Sequence, residues 1–277
     1  MLSLVSDART PWSRKQEQCS QFRRGEGTLT TVTEQTAAPR VPTTARDRAR
    51  AEVMSELLAA ARARLESEGS AALSLRAVAR DLGMASSAVY RYVPSRDALL
   101  TLLIIETYDA VGEVAETVAR TSDAGPAQTW LEVARAVRRW ALDQPYSFEL
   151  IYGTPVRGYR APDDTVRPAV RMWGVIIGLL MDADRDGVLD PAGPDFDPAG
   201  RMAPEAFATA GYTDPATVPD DVARIAIRSA TLFTSLVGAI SVELFGHLHR
   251  VAEDRSRFFD VTIATAAAGV GLRITLD

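Results

Sequence analysis

SLRAVARDLGMASSAVYRYVPSR, from Ser74 to Arg96, is the stretch whose reading decides the fold. Ser74 is a favoured helix N-cap, and Leu75, Val78, Ala79 and Leu82 follow it at helical spacing. Gly83 supplies a left-handed stop. Only Met84 and Ala85 separate it from a second short helical pattern, carried by Ala88, Val89 and Tyr92 and ended by Pro94. Two short helices joined this tightly must cross steeply, as in a DNA-binding helix-turn-helix. The second helix opens with Ser86 and Ser87 and goes on to Tyr90 and Arg91. Small polar groups suit an approach to base edges, and a phenol and a guanidinium suit phosphates.

Working outward, Thr44 with Asp47 three residues on is a capping-box-like start. The helix it opens carries Val53, Leu57, Leu58, Ala61 and Leu65 on one side, with Gly69 beyond its end. That stripe covers the helix-turn-helix pair and completes a three-helix DNA-binding domain over residues 43–95. Ser95 caps the next helix, which runs through Leu99, Leu103, Ile104, Tyr108 and Val111 toward Arg120 and joins reader to body. Residues 1–42 hold Pro11, Pro39 and Pro42, much Ser, Thr and Gln, and no sustained periodicity. They read as a disordered extension; a basic arm using Arg14, Lys15, Arg23 and Arg24 is the other reading.

The net charge of −5 is unevenly divided. Residues 40–100 hold ten Arg against seven acids, and residues 101–277 hold 16 basic against 25 acidic residues. A slightly basic module on an acidic body fits a phosphate-binding face with the remainder held off the duplex. The longest uncharged run in the apolar segments, Ser229 to Val242, is shorter than the ~20 residues of a membrane span. The opening MLSLVSDART has no charged n-region before an apolar block, and a single cysteine, Cys19, excludes an intrachain disulfide. A cytoplasmic protein with no membrane partner is expected.

Residues 96–277 read as a helical bundle, making the whole chain all-α. Pro126 to Asp143 places Trp130, Val133, Val137, Trp140 and Ala141 on one side. A short helix through Phe148 and Ile151 follows, then a loop at 153–162, then a helix opening at Asp163 or Asp164 and reaching Leu180. Residues 187–219 are rich in Pro, Gly and Asp and read as a long loop, with a short helix near 204–210. Two last helices are expected near 220–249 and 256–273. Tyr108, Trp130, Trp140, Phe148, Tyr152, Trp173 and Phe233 are the candidate ligand-pocket residues; aromatics at this spacing are also what an ordinary core contains. Leu232, Leu236, Ile240 and Leu244, beside small residues, and Phe259, Ile263 and Ala267 on the final helix are the candidate dimer interface. Two such helices from each of two chains make a four-helix contact.

The stretch around Gly83, Met84, Val89, Tyr90, Tyr92, Arg96, Asp97, Leu99 and Leu100 resembles the TetR family of bacterial transcriptional regulators. Ala85 stands where that family usually has a Ser or Thr cap, which leaves Ser86 as the candidate cap one residue on, and Val93 replaces a common Phe. The resemblance implies that Arg76 reaches a groove edge. Together with the residue types it makes Ser74, Arg76, Ser86, Ser87, Tyr90, Arg91, Tyr92 and Arg96 the DNA-binding set, with Tyr90, Tyr92 and Arg96 on phosphates. Gln144-Pro145-Tyr146, Tyr152-Gly153-Thr154-Pro155, Tyr159, Ala161-Pro162 and the run Phe233 to His247 resemble the WHG-type ligand-binding domain of some TetR members. Phe233 takes its Trp position and Val237 precedes Gly238, so two of the three signature residues differ. The resemblance also implies a homodimer.

Other chemistry is poorly served. Asp182, Asp184, Asp186 and Gly187 match half of a calcium loop, but its twelfth position is Gly193, where a bidentate Glu belongs. His247 and His249, two apart on a helix, point about 200° from each other and suit helix termination better than one metal. There is no P-loop, dinucleotide fingerprint or Ser-His-Asp arrangement. The expected protein is not an enzyme and carries no cofactor or metal. It is a ligand-responsive transcriptional repressor, released from a palindromic double-stranded operator by an apolar or amphipathic small molecule. A constitutive architectural DNA-binding protein without effector is the alternative.

Overall fold

Among the described residues, 44–69, 73–198, 212 and 214–276, the computed structural model is helical throughout and contains no strand. The 1–42 extension and the short helix expected near 204–210 lie outside them. Residues Arg48–Asp277 form one compact unit.

Helix α1 (Ala45–Glu68) opens on the expected capping box: the Asp47 amide donates to Thr44 Oγ1 at 3.1 Å, and the Thr44 hydroxyl donates to the Asp47 carboxylate at 2.8 Å. Helices α2 (Leu75–Asp81) and α3 (Ser86–Val89) are the helix-turn-helix pair. Ser74 caps α2 by accepting from the Ala77 amide, and Gly83 turns the chain at φ +63°, a conformation a side chain would strain. Helix α3 starts at Ser86, so Ser86 is not its cap. Ala85 holds that position with no side-chain bond, and the start has not shifted. Leu57, Ala61, Leu65, Val78, Val89 and Val93 close one hydrophobic cluster over these three helices.

Helix α4 (Arg96–Thr121) is 26 residues long, about 39 Å at 1.5 Å per residue. Ser95 caps it through the Ala98 amide. Leu99, Leu100, Leu103 and Ile104 belong to the head's core, while Val111 and Ala115 belong to the body's. A domain boundary at 95/96 therefore divides the head's core, and the first half of α4 is part of the head.

The body adds α5 (Pro126–Asp143), α6 (Pro145–Tyr152), α7 (Val166–Ala169), α8 (Arg171–Arg185), α9 (Asp220–Leu244) and α10 (Arg255–Val270). The single helix expected from Asp163 to Leu180 is broken. Residues Asp163–Thr165 make a 3-10 turn, and the chain bends again at Val170 before α8. Pro168 explains the first break, since it has no N–H to give the Asp164 carbonyl and its ring crowds that carbonyl. Helix α9 ends at Leu244 rather than 249, in a turn with Gly246 at φ +78°, so His247 and His249 lie beyond the helix they were expected to close.

Helix α9 is long and apolar enough to span a membrane by length and composition, but its inner face is in the core. Leu232, Leu236, Ile240, Phe259, Ile263 and Ala267 are all buried within the single chain, and Leu244 packs against them. The six buried residues hold α9 and α10 to α5 and α8 and offer no surface to a partner chain, which corrects the expected dimer interface for them; Leu244 is half-buried at its edge. Buried and half-buried ion pairs brace the bundle. Arg138 on α5 makes two 2.7 Å bonds to Glu243 on α9. Arg171 on α8 bonds Asp109 and Glu116 on α4, crossing at Gly112, where a Cβ would lie 2.9 Å from the Arg171 side chain.

Candidate nucleic-acid interface and ligand cleft

The helix-turn-helix pair has a set of exposed polar side chains. Arg76, in the first turn of α2, and Ser87, Tyr90 and Arg91 on and after α3 are exposed, and Tyr90 is 46% exposed despite its ring. Their neighbours Ala77, Val78 and Val89 are buried, which fixes the outward direction of this set by helical geometry. Ser86 is half-buried, and Ser74 is used as a cap. Tyr92 is half-buried under the guanidinium of Arg50, 5.3 Å from its ring centroid.

Arg96, expected on phosphates, also has a contact within the chain. Its Nε donates to the Leu73 carbonyl at 3.0 Å, and its guanidinium lies 3.6 Å from Asp97. It joins the start of α4 to the residue before the Ser74 cap. Across the head, Arg64 on α1 bonds Asp81 at the end of α2 at 2.5 and 2.8 Å, and this holds the Asp81 carboxyl below the usual carboxylate range.

In the body, five of the seven candidate pocket aromatics meet. Tyr108 packs edge-on to Tyr152 at 6.1 Å, and Tyr152 touches Phe148 at 5.1 Å and Phe233 at 6.0 Å. Phe233 stacks on Trp173 at 4.6 Å. Four of the five are half-buried, and the Tyr152 hydroxyl is buried with no hydrogen-bond partner among the described residues. Trp130 and Trp140 sit apart from it, buried on the inner face of α5, because the stripe that made them look like a wall is the stripe α5 turns to the core. Phe148 is fully buried as well.

A cleft of about 400 Å³ lies beside the row, and of the seven only Tyr108 lines it. Ile104 from α4, Ile151 from α6, Val156 and Tyr159 from the 153–162 loop and Val170 before α8 form the other main walls. The volume is within the range of about 300–1,000 Å³ of small-molecule sites. Burial raises the Tyr108 phenol above its ordinary value, so it is a donor at neutral pH. Its hydroxyl reaches the Ile151 carbonyl only at 3.4 Å. The 153–162 stretch was legible as a loop, but no periodicity connects it to Ile104 or Val170. Among the described residues, no three His, Cys, Asp or Glu side chains gather as a metal site, and Asp182 pairs with Arg185.

A Gly-turned helix pair with an exposed Arg, Ser and Tyr edge, joined by one long helix to a helical body, defines a helix-turn-helix DNA-binding transcription regulator. Two family profiles match the chain: "Bacterial regulatory proteins, tetR family" over residues 57–103, and "Tetracyclin repressor-like, C-terminal domain" over residues 130–266. HTH-type transcriptional regulators of Mycobacterium bovis (Mb1846) and Mycobacterium tuberculosis (Rv1816) are each 40% identical over 205 residues, 72% of this chain and 83% of theirs. The crystal structure of the regulatory protein SCO4313 is 31% identical with a TM-score of 0.63, covering 81% of this chain and all of that one. A tetR-family regulatory protein from Rhodococcus RHA1, 16% identical with a TM-score of 0.53 over 79% of this chain and 97% of its own, shares the fold. This chain belongs to the TetR family of bacterial transcriptional regulators, and it is not an enzyme.

Proposed function

We propose that this regulator is a homodimeric repressor that holds a palindromic operator and lets go when a small, apolar or amphipathic molecule enters its body. The observation that carries the reading is the exposed edge of Arg76, Ser87, Tyr90 and Arg91 on a head whose core continues into α4. The same helix carries Tyr108 to the wall of the cleft, about 18 Å from Arg96 at 1.5 Å per residue. One rigid element therefore reaches both the reading motif and the site a ligand would fill. The ligand can shift the head only by its difference in affinity for the two states, typically ~1–3 kcal/mol of coupling.

The dimer contact suits the faces of α9 and α10 opposite the core. Gly238 and Phe245 on and just past α9, with Phe258, Val261 and Thr265 on α10, form an exposed surface of small and apolar groups. A Cβ at Gly238 would meet nothing in the chain, so a second helix has room to approach. Two heads related by a two-fold axis require half-sites about one helical turn, ~34 Å, or a multiple apart. The DNA target makes the cytoplasm its place of work. Footprinting the purified protein on the DNA flanking its own gene tests the reading. Two protected half-sites in inverted repeat are expected, and uniform coverage without sequence preference would replace it with a constitutive architectural role.

A further inference from the structure

The 153–162 loop lies between the ligand cleft and the reading head and contacts both. Pro155, Val156, Tyr159 and Ala161 line the cleft, while Val156 and Tyr159 also pack on the head's hydrophobic cluster. Tyr159 goes further, because its hydroxyl lies 2.9 Å from Thr101 Oγ1 on α4. The direction of that bond follows from proton counting. The Thr101 hydroxyl has one proton and donates it to the Asp97 carbonyl at 2.9 Å, so it accepts from Tyr159. Asp97 adjoins Arg96, whose Nε holds the Leu73 carbonyl immediately before the Ser74 cap of α2. A hydrogen-bonded series therefore runs from the cleft wall to the first turn of α4, beside the bond that ties α4 to the motif.

The lining also decides what can occupy the cleft. Its walls are aliphatic and aromatic, and no charged side chain among the described residues lines it. An ionised ligand group would lose its water there and find no counter-charge. The polar groups on offer are hydroxyls. Tyr159, which donates to Thr101, keeps an acceptor oxygen, and the long Tyr108 bond leaves that donor easily redirected.

We propose that the cleft between α4, α6, α7 and the 153–162 loop binds an uncharged, mainly apolar molecule, and that Thr101 relays its presence from Tyr159 to the reading motif. The proposal rests on the ligand-responsive reading above and names the class of ligand and the route. Tyr159 contacts the ligand; Thr101, which does not line the cleft, is a positioning residue.

The test uses full-length protein and two probes that share a ring system, neutral N-phenyl-1-naphthylamine and its anionic 8-sulfonate, followed by fluorescence. The neutral probe is expected to bind saturably and at least about tenfold more tightly than the sulfonate, which corresponds to about 1.4 kcal/mol or more. Ala161→Trp, on the exposed rim, is expected to abolish that binding. Hydrogen exchange of the amides in residues 74–93 is then measured with and without the neutral probe. The wild type is expected to change its exchange by several-fold. Thr101→Val is expected to bind the probe as the wild type does but to show no change in exchange. Equal affinity for the two probes, or neutral-probe binding that survives Ala161→Trp, would overturn the assigned site and class. A Thr101→Val protein whose motif still responds would overturn the route. Neither readout needs an operator, so failure to find one would count against the repressor reading and leave this one standing.

Discussion

Removing Arg138 should cost more than any surface change to this protein, because of what it leaves behind. The Arg138 and Glu243 side chains are only 14% and 5% exposed, and two 2.7 Å bonds join them between α5 and α9. Arg138 also reaches Ser256 at 3.2 Å and lies 5.3 Å from the Phe259 ring centroid. Arg138→Ala strands the Glu243 carboxylate in the core, and breaking one side of a buried pair costs about 3–5 kcal/mol. Taking both charges away is different. Arg138→Met with Glu243→Leu removes the desolvation of two ions and fills the space, so its cost should be about zero, or it should stabilise by ~1–4 kcal/mol. For a chain of this size about 2–4 °C accompanies each kcal/mol, so the single variant should melt on the order of 10 °C lower. Urea unfolding followed by circular dichroism, at one fixed protein concentration because a dimer's stability depends on it, measures all three proteins. A single variant within about 1 kcal/mol of wild type, or a double variant as damaged as the single, would refute the reasoning.

Arg76→Ala should relax preference at one operator base pair by about 1–3 kcal/mol, whereas Arg91→Ala should weaken all sequences alike and lower the salt slope by about one; binding titrations across salt separate them. Arg96→Ala should instead lower the melting temperature of the protein, because the side chain is tied to Leu73, and a purely salt-dependent loss of DNA affinity would restore it as a clamp. Val261→Glu with Gly238→Glu should yield folded monomers in light scattering, while Leu236→Glu should unfold the chain, since Leu236 is fully buried. Finally, the Arg171 guanidinium holds the Glu116 carboxyl below its ordinary range. The stability from that bond is therefore present above the unfolded value, about pH 4.3, and lost as pH falls through the lower folded value. The difference in urea midpoint between wild type and Glu116→Gln should shrink over that fall, and a constant difference would refute the link.

The head was legible in the sequence because its determinants are local. A cap at Ser74, a positive-φ glycine at Gly83 and apolar residues three and four apart act within one or two turns, so reading Ser74 to Arg96 was enough to obtain both helices and their exposed edge. The capping box at Thr44 and the long helix from Ser95 were available for the same reason. The break at Asp163–Thr165 also had a local sign, Pro168, whereas the bend at Val170 had none, the apolar spacing running on unbroken through it.

Tertiary structure decided the rest, at places where one pattern has two uses. An apolar stripe such as Leu232, Leu236 and Ile240 satisfies the hydrophobic effect equally against a partner chain or against α5 and α8, and only the packed fold chose its own core. The proposed dimer surface rests instead on the weaker pattern of exposed residues around Gly238 and Val261. That Arg96 Nε is held by the Leu73 carbonyl, 23 residues away, is visible only in the fold. The cleft is built from Ile104, Ile151, Tyr159 and Val170, four separate stretches with no shared period. Sequence spacing reports a helix's own faces, whereas a cavity is the space several elements leave between them, and that depends on how they pack.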